Sequence, residues 1–438
     1  MTGLRAGAAT ADVTPPLGGL MDGYGGRLVP SQGVHDPLYA RVLALDYGEH
    51  GACAIVGCDL LGMHPWTASE VRRRARESCG IAEDAVIVAA THDHAGPANL
   101  RAGMFSQLDE AAAAALVEKI AGAIEAAWAG RQAATLSVGA AAVDTISMNR
   151  RDSSGASDNT LRVVLVNGED GPISCILNFP CHATVLDDKN LLLSAEFPGV
   201  ACRLVEQATG ATAVYLNGAC GDVNPAWIAQ DFASVERAGQ VVGGQAVRLI
   251  GELRAAATGQ RSHNIRWDEF TELPVPGRAV EPRLRFARRE IDLPLRPFLP
   301  DEEYARLVDE ARSGSGREAA ARLSRLSAER WAAMWSRRAN EGAIRRTEMQ
   351  TLSLGEGLAV LALPGEFFGA TAQAIRGGVG SPDLLIACYA NDYLGYVIPP
   401  DAFGEGGYES GVTFFGPEAE PIIRQTAVEM LREVTSGV

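Results

Sequence analysis

The chain has 438 residues, 47% hydrophobic and 21% charged, the balance of a globular protein with a large core. Its formal net charge of −15 excludes nucleic acid as a natural partner, because that partner needs a basic surface to release counterions. No run approaches the roughly 18 apolar residues of a membrane span, so no stable membrane insertion is expected, and "MTGLRAGAATADVTPP" lacks the basic and apolar segments of an export signal, so a cytoplasmic location is expected.

From the N-terminus, "ARVLALDYG" and "ACAIVGCDL" read as adjacent strands, and "TASEVRRRARESCG" as a helix with Thr67 and Glu70 at capping-box spacing. "AVIVAA" is a buried strand, followed by a loop and a helix predicted from about Ser106 to Trp128, ending at Gly130. "ATLSVGA", "TLRVVLVNG" and "PISCILNFP" form another group of strands. A helix opening at Pro198, the strand "ATAVYLNG" and a helix from Phe232 to Leu253 follow.

Residues 301–342 read as two charged amphipathic helices joined at "SGSG", a solvated hairpin ahead of a lid or subunit contact. The core resumes with strand "LAVLALPGE", a helix and strand "LLIACYAND". The expected fold is α/β, a mixed β-sheet core with flanking helices, as a single domain over residues 1–438 with a helical hairpin insertion at about 300–343. The eight cysteines are scattered, and Cys53 and Cys58 lack CxxC spacing, so small buried thiols are expected.

Two histidines, His92 and His94, flank Asp93 where the strand "AVIVAA" gives out. Alternation along extended backbone sends both imidazoles to one side and Asp93 to the other, an arrangement suited to a metal ligand beside a general acid or base. Alone, the pair reads equally as polar loop histidines. "LNFPCHATVL" repeats the pattern, a strand run giving way to His182, and "LALPGEFFG" places Glu366 after a strand and a Pro-Gly turn. Singly, Glu366 reads as a helix N-terminal acid. Three strand ends that each finish in a nitrogen or oxygen donor make a divalent metal the economical explanation, and His/carboxylate sets suit zinc.

"GAATADVTPPLGGLMDGYGG", "GVHDPLYARVLALD", "ATHDHAGP", "SMNRRDSSGASDNTLRVV", "CHATVL", "NGACGDVNP", "LPGEFF" and "YLGYVIPPDAFGEGGYES" occur in this order. The series resembles the neutral/alkaline, non-lysosomal ceramidase family from about residue 5 to 420. The resemblance implies that fold and a zinc ion held by His92, His182, Glu366 and Tyr396, with His94, Arg150 and Tyr408 lining the reaction centre. It further implies attack by a zinc-bound water, with His94 shuttling a proton to the departing amine while Tyr408 and Arg150 stabilise the oxyanion. Without the resemblance, the two tyrosines read as core or rim aromatics and Arg150 as a surface charge.

Asn224 departs from the pattern, because the family has a substrate-contacting active-site serine there, and asparagine lacks a hydroxyl. The Gly-Asp-Val-Asn-Pro turn either places Asn224 at the metal centre or is structural. No immunoglobulin-like C-terminal domain is expected, and the loops are short of aromatic and long aliphatic residues for a two-chain lipid cleft. The expected substrate is therefore a small soluble N-acyl compound cleaved at a linear amide. An esterase or lactonase, an N-deacetylase, a true ceramidase and a catalytically silent metal-binding relative are the alternatives, and a homo-oligomer is compatible with the sequence. His50, His64 and His263 read as surface or capping residues, Asp59 as a support for a ligand histidine or a loop turn, and His35 and Asp36 as loop-ordering. "GGLMDGYGG" has no P-loop lysine, so phosphate cradling is not expected.

Overall fold

A computed structural model of the protein describes residues 3–435, except 101–107, 153–156, 227–228, 258–260, 264–269, 273–276, 340–342 and 382. The first sheet is built from β1 (Arg5–Asp12), β2 (Tyr39–Asp46) and β3 (Ala52–Cys58), then helix α1 (Pro65–Cys79) and β4 (Val86–Ala90). The strands lie in the order β4-β3-β2-β1, with β3 and β4 parallel and the other pairs antiparallel. β4 is buried at every position, which accounts for an apolar run without alternation. Helix α2 (Glu110–Ala129) covers this sheet, its first turn capped by Asp109, whose side chain accepts the Ala112 N–H at 3.0 Å.

A second sheet follows from β5 (Thr135–Ala142), with β6 (Ser147–Asn149) set apart, and then β7 (Thr160–Asn167) and β8 (Pro172–Phe179). Helix α3 (Glu196–Thr209) leads to β9 (Thr212–Asn217), the short β10 (Val223–Pro225) and helix α4 (Phe232–Ala257). The order is β9-β8-β7-β5, parallel only between β8 and β9, while β6 and β10 pair antiparallel with each other. Helices α3 and α4 pack on this sheet, and its other face meets the first sheet. The two approach closely at Gly57 of β3, where a Cβ would stand 2.5 Å from the Tyr215 carbonyl oxygen of β9.

The third sheet begins at β11 (Pro282–Pro294), is interrupted by helices α5 (Asp301–Ser313) and α6 (Gly316–Ala339), and resumes with β12 (Ile344–Gly355) and β13 (Leu358–Ala362). Next come β14 (Glu366–Phe367), α7 (Gly369–Val379), β15 (Asp383–Ala387), β16 (Tyr396–Val397), α8 (Pro400–Glu405), α9 (Tyr408–Val412) and α10 (Ala419–Thr435). Strand order is β11-β12-β13-β15, again with one parallel pair, β13 and β15, and β14 pairs with β16 alone. Each of these larger sheets therefore contains a parallel pair bridged by a helix. The chain leaving β4, β8 or β13 at its carboxyl end enters one shared crevice, the place where α/β architectures bind ligands.

The mixed α/β core and the helical hairpin agree with expectation, and all eight cysteines are buried free thiols. Among the described residues, no helix is long and apolar enough to cross a membrane. Three local expectations change. Helix α1 is capped by His64, whose Nδ1 accepts the Trp66 N–H at 3.1 Å, so no capping box forms; Thr67 is buried inside the helix and Glu70 pairs with Arg73. The predicted start of α2 at Ser106 lies outside the described residues, and the helix itself begins at Glu110. Helix α3 begins at Glu196 rather than Pro198.

Candidate metal centre

Beyond β4 the chain does not stay extended. His92 adopts φ 64°, a left-handed conformation uncommon for a residue with a side chain. A turn, and not strand alternation, thus brings the His92 and His94 rings together with their Nε2 atoms 3.1 Å apart. Asp93 is fully buried, and its Oδ1 accepts the Ala95 N–H at 2.7 Å.

The second imidazole arrives after β8. His182 Nδ1–H donates to the Val223 carbonyl oxygen of β10 at 3.0 Å, and His92 Nδ1–H donates in the same way to Leu61 at 2.8 Å. Both hydrogen bonds select the tautomer that leaves Nε2 free as a ligand, the support that metal-binding histidines receive. Glu366 reaches the same point, with Oε2 lying 3.2 Å from His182 Nε2 and 3.5 Å from His92 Nε2. Donors about 2.0–2.1 Å from a tetrahedral ion stand about 3.3 Å apart, so these separations fit a divalent cation.

The ligand atoms of His92, His94 and His182 all lie within 4.8 Å of one another, so distance alone admits His94 to the set. The outer ring nitrogens separate them. His94 Nδ1 is buried with no hydrogen-bond partner, unlike Nδ1 of His92 and His182. Its ring instead borders a cavity and tilts against Tyr24, centroids 5.2 Å apart. Burial, with Arg150 nearby, pushes the His182 pKa down to about 4, and burial with the neighbouring imidazoles holds His94 well below the ordinary value. Burial opposes ionisation of Glu366, but the His92 and His182 rings outweigh it and keep the carboxylate charged. A neutral His182 and an ionised Glu366 are the protonation states a cation requires.

Tyr396 is positioned by backbone pairing, since Glu366 and Tyr396 are direct register partners in the parallel β14–β16 ladder. Its hydroxyl accepts a hydrogen bond from Arg150 Nη2 at 2.8 Å. Arg150 is a half-buried hub and not a free surface charge: Nη2 also donates to the Gly221 carbonyl at 2.7 Å, Nη1 to Asn224 Oδ1 at 3.1 Å, and Nε to Glu409 at 2.8 Å. Asn224 thus connects to the centre through Arg150. Tyr408 stands at the rim, 63% exposed, its ring centroid 5.9 Å from that of Tyr396.

Several functional contacts carried no usable sequence signal. Tyr393 donates its hydroxyl to Glu366 Oε1 at 2.5 Å, and Tyr389 stacks on His92. The "GGLMDGYGG" loop supplies Asp22, Gly23, Tyr24 and Gly25 to the cavity wall. Gly23, at φ 97°, lies so near that a Cβ would stand 2.5 Å from His94 Nδ1. Arg27 fixes that loop by donating to the Asp22 and His94 carbonyls. Asp59, by contrast, supports no ligand histidine. It is buried against Arg41 Nη1 at 2.9 Å and accepts the Tyr39 N–H, while the backbone carbonyls of Leu61 and Val223 hold the His92 and His182 rings. Asp36 orders a loop as expected, accepting from Ser194 and Ala195.

The cavity has a volume of about 290 Å³. His94, Glu366 and Tyr396 line it together with Leu61, Val412 and Ala328, the last from the hairpin helix α6.

Comparison with known proteins places this architecture. The family model described as "Neutral/alkaline non-lysosomal ceramidase, N-terminal" matches residues 4–266. The neutral ceramidase of Pseudomonas aeruginosa is 24% identical over 481 residues, spanning 97% of this chain and 71% of that protein. A crystal structure of neutral ceramidase from Pseudomonas aeruginosa shares the fold with a TM-score of 0.74 at 20% identity, covering 98% of this chain and 74% of that one. A structure described as ceramidase complexed with C2 gives 0.73 at 20% identity, covering 98% and 75%. The chain is therefore a member of the neutral/alkaline non-lysosomal ceramidase family.

Proposed function

We propose that the protein is a zinc-dependent hydrolase that cleaves the linear amide bond of a small, soluble N-acyl compound. The observation that carries this reading is the convergence of His92, His182 and Glu366 from three strand ends at tetrahedral-edge spacing beside a cavity. Under it, His92, His182, Glu366 and Tyr396 hold the ion. Bound there, zinc supplies Lewis acidity and makes a water nucleophilic near neutral pH.

The remaining residues have separate tasks. His94, with its unpartnered Nδ1, accepts a proton at the cavity wall and returns it to the departing amine. Tyr408 offers its hydroxyl to the developing oxyanion, a contribution of about 3 kcal/mol for a well-placed donor. Arg150 orients Tyr396 and Asn224 and places positive charge beside the reacting carbonyl. Since the nucleophile is water, no side chain forms an acyl intermediate. A cytoplasmic location belongs to the same proposal.

A lipid amide such as ceramide is the second reading. It is favoured by Leu17, Leu20, Leu28 and Val29, exposed in the segment that also supplies Asp22–Gly25 to the cavity. Metal analysis of the purified protein, combined with a mass-spectrometric screen of N-acyl amines and their ester counterparts, tests both. Stoichiometric zinc with turnover of short N-acyl amides supports the first reading, preference for long chains supports the second, and zinc without any turnover contradicts both.

A further inference from the structure

The hairpin α5–α6 is more than a solvated appendage. Helix α6 buries Leu326, Ala332 and Ala333, and its Ala328 packs beside an apolar cluster containing Phe368, Tyr396 and Val412. A Cβ added at Gly411 of α9 would stand 3.3 Å from Ala328 Cβ, so the two helices are in close contact there. Just ahead of the hairpin, Arg296 donates to the Ser410 and Gly411 carbonyls at 3.3 and 2.9 Å, and Glu329 of α6 accepts the Leu299 N–H. These contacts fix one wall of the cavity.

We infer that Ala328 is a specificity-determining residue that limits the acyl chain, so that the substrates carry short acyl groups. This rests on the amide-hydrolase reading of the site. A cavity of about 290 Å³ holds roughly ten water-sized groups and lies at the small end of ligand pockets. Ala328, Val412 and Leu61 contribute apolar lining that suits hydrocarbon, alongside the polar Asp22, Glu366 and tyrosine groups. Ala328 contributes a single methyl to the lining, so any enlargement at position 328 narrows the space.

Binding of straight-chain carboxylates from acetate to palmitate, measured by calorimetry on the zinc-loaded protein, tests this without requiring turnover. Hydrolysis of the matching N-acyl amines is followed in parallel. In the wild type, affinity rises about fourfold per methylene up to a limit of about four to eight carbons and then stops rising. Ala328→Leu lowers that limit by about two carbons, and Ala328→Gly raises it by about one. Should the leucine variant not fold, the glycine variant carries the test alone. The inference is overturned if the folded variants leave the limit in place, if the wild type shows no limit up to palmitate, or if no carboxylate binds. A length limit without hydrolysis of any N-acyl amine upholds the role of Ala328 and contradicts the proposed reaction instead.

Discussion

Tyr389 lies face to face with His92, their ring centroids 3.9 Å apart and their planes inclined by 12°. The tyrosine is fully buried, adopts φ 58°, and has its hydroxyl 3.1 Å from Cys220 Sγ. A bulky residue in that conformation is costly, and it is held there by its stacking on His92. Tyr389→Leu is predicted to weaken zinc binding by about 10- to 100-fold, measured by chelator competition, while Tyr389→Phe stays close to wild type. Unchanged affinity in the leucine variant would remove Tyr389 from the account.

Tyr393 supports Glu366 from the side away from His182. Removing its hydroxyl leaves a buried carboxylate oxygen short of a donor. Tyr393→Phe is predicted to lose about 1–3 kcal/mol of stability in denaturant unfolding and to bind zinc more weakly. A variant equal to wild type in both measurements would show that this hydrogen bond contributes nothing.

The Arg41–Asp59 pair is structural. Both residues are buried, and Arg41 also donates from Nε to Glu206 at 3.0 Å. Arg41→Met leaves the Asp59 charge uncompensated and is predicted to lower unfolding free energy by about 3–5 kcal/mol. Zinc content of the folded variant stays at wild-type stoichiometry. Loss of zinc would return Asp59 to the support of the metal site.

Glu196 predicts a pH dependence of stability. Burial pushes its pKa from the ordinary 4.5 up to about 7, although the Leu186 and Phe197 N–H groups favour the charged form. An acid whose pKa is raised by folding loses stability as pH rises. The full contribution is present below about pH 4.5 and is lost between there and about pH 7, a change of about 3 kcal/mol. Glu196→Gln is expected to flatten that slope in unfolding experiments from pH 4.5 to 7.5. An unaltered slope would assign it to other groups.

Much of this was legible in the sequence because burial writes itself into composition. "AVIVAA", "PISCILNFP" and "LAVLALPGE" are predominantly apolar because both strand faces are largely covered, and the donors stand out where those runs end. Placement of His92 and His94 on one side was anticipated, but the turn that achieves it was not, since nothing in His-Asp-His signals a positive φ at His92. The His92 and His182 rings are held by backbone carbonyls, which leave no mark in residue identities, whereas the conspicuous acid Asp59 pairs with Arg41. Arg150 looked like one of two adjacent surface arginines, because its partners Tyr396, Asn224 and Glu409 are far away along the chain. Thr67 and Glu70 had capping spacing, yet Pro65 suits the first helical position and let His64 cap instead.

Zinc content of matched variants separates the roles of His92 and His94. After saturation with zinc and removal of excess, His94→Gln is predicted to retain one ion per chain while losing at least about a hundredfold in turnover. His92→Gln is predicted to lose both the ion and turnover. Zinc lost from His94→Gln to the same extent as from His92→Gln would contradict the account and make all three clustered histidines ligands.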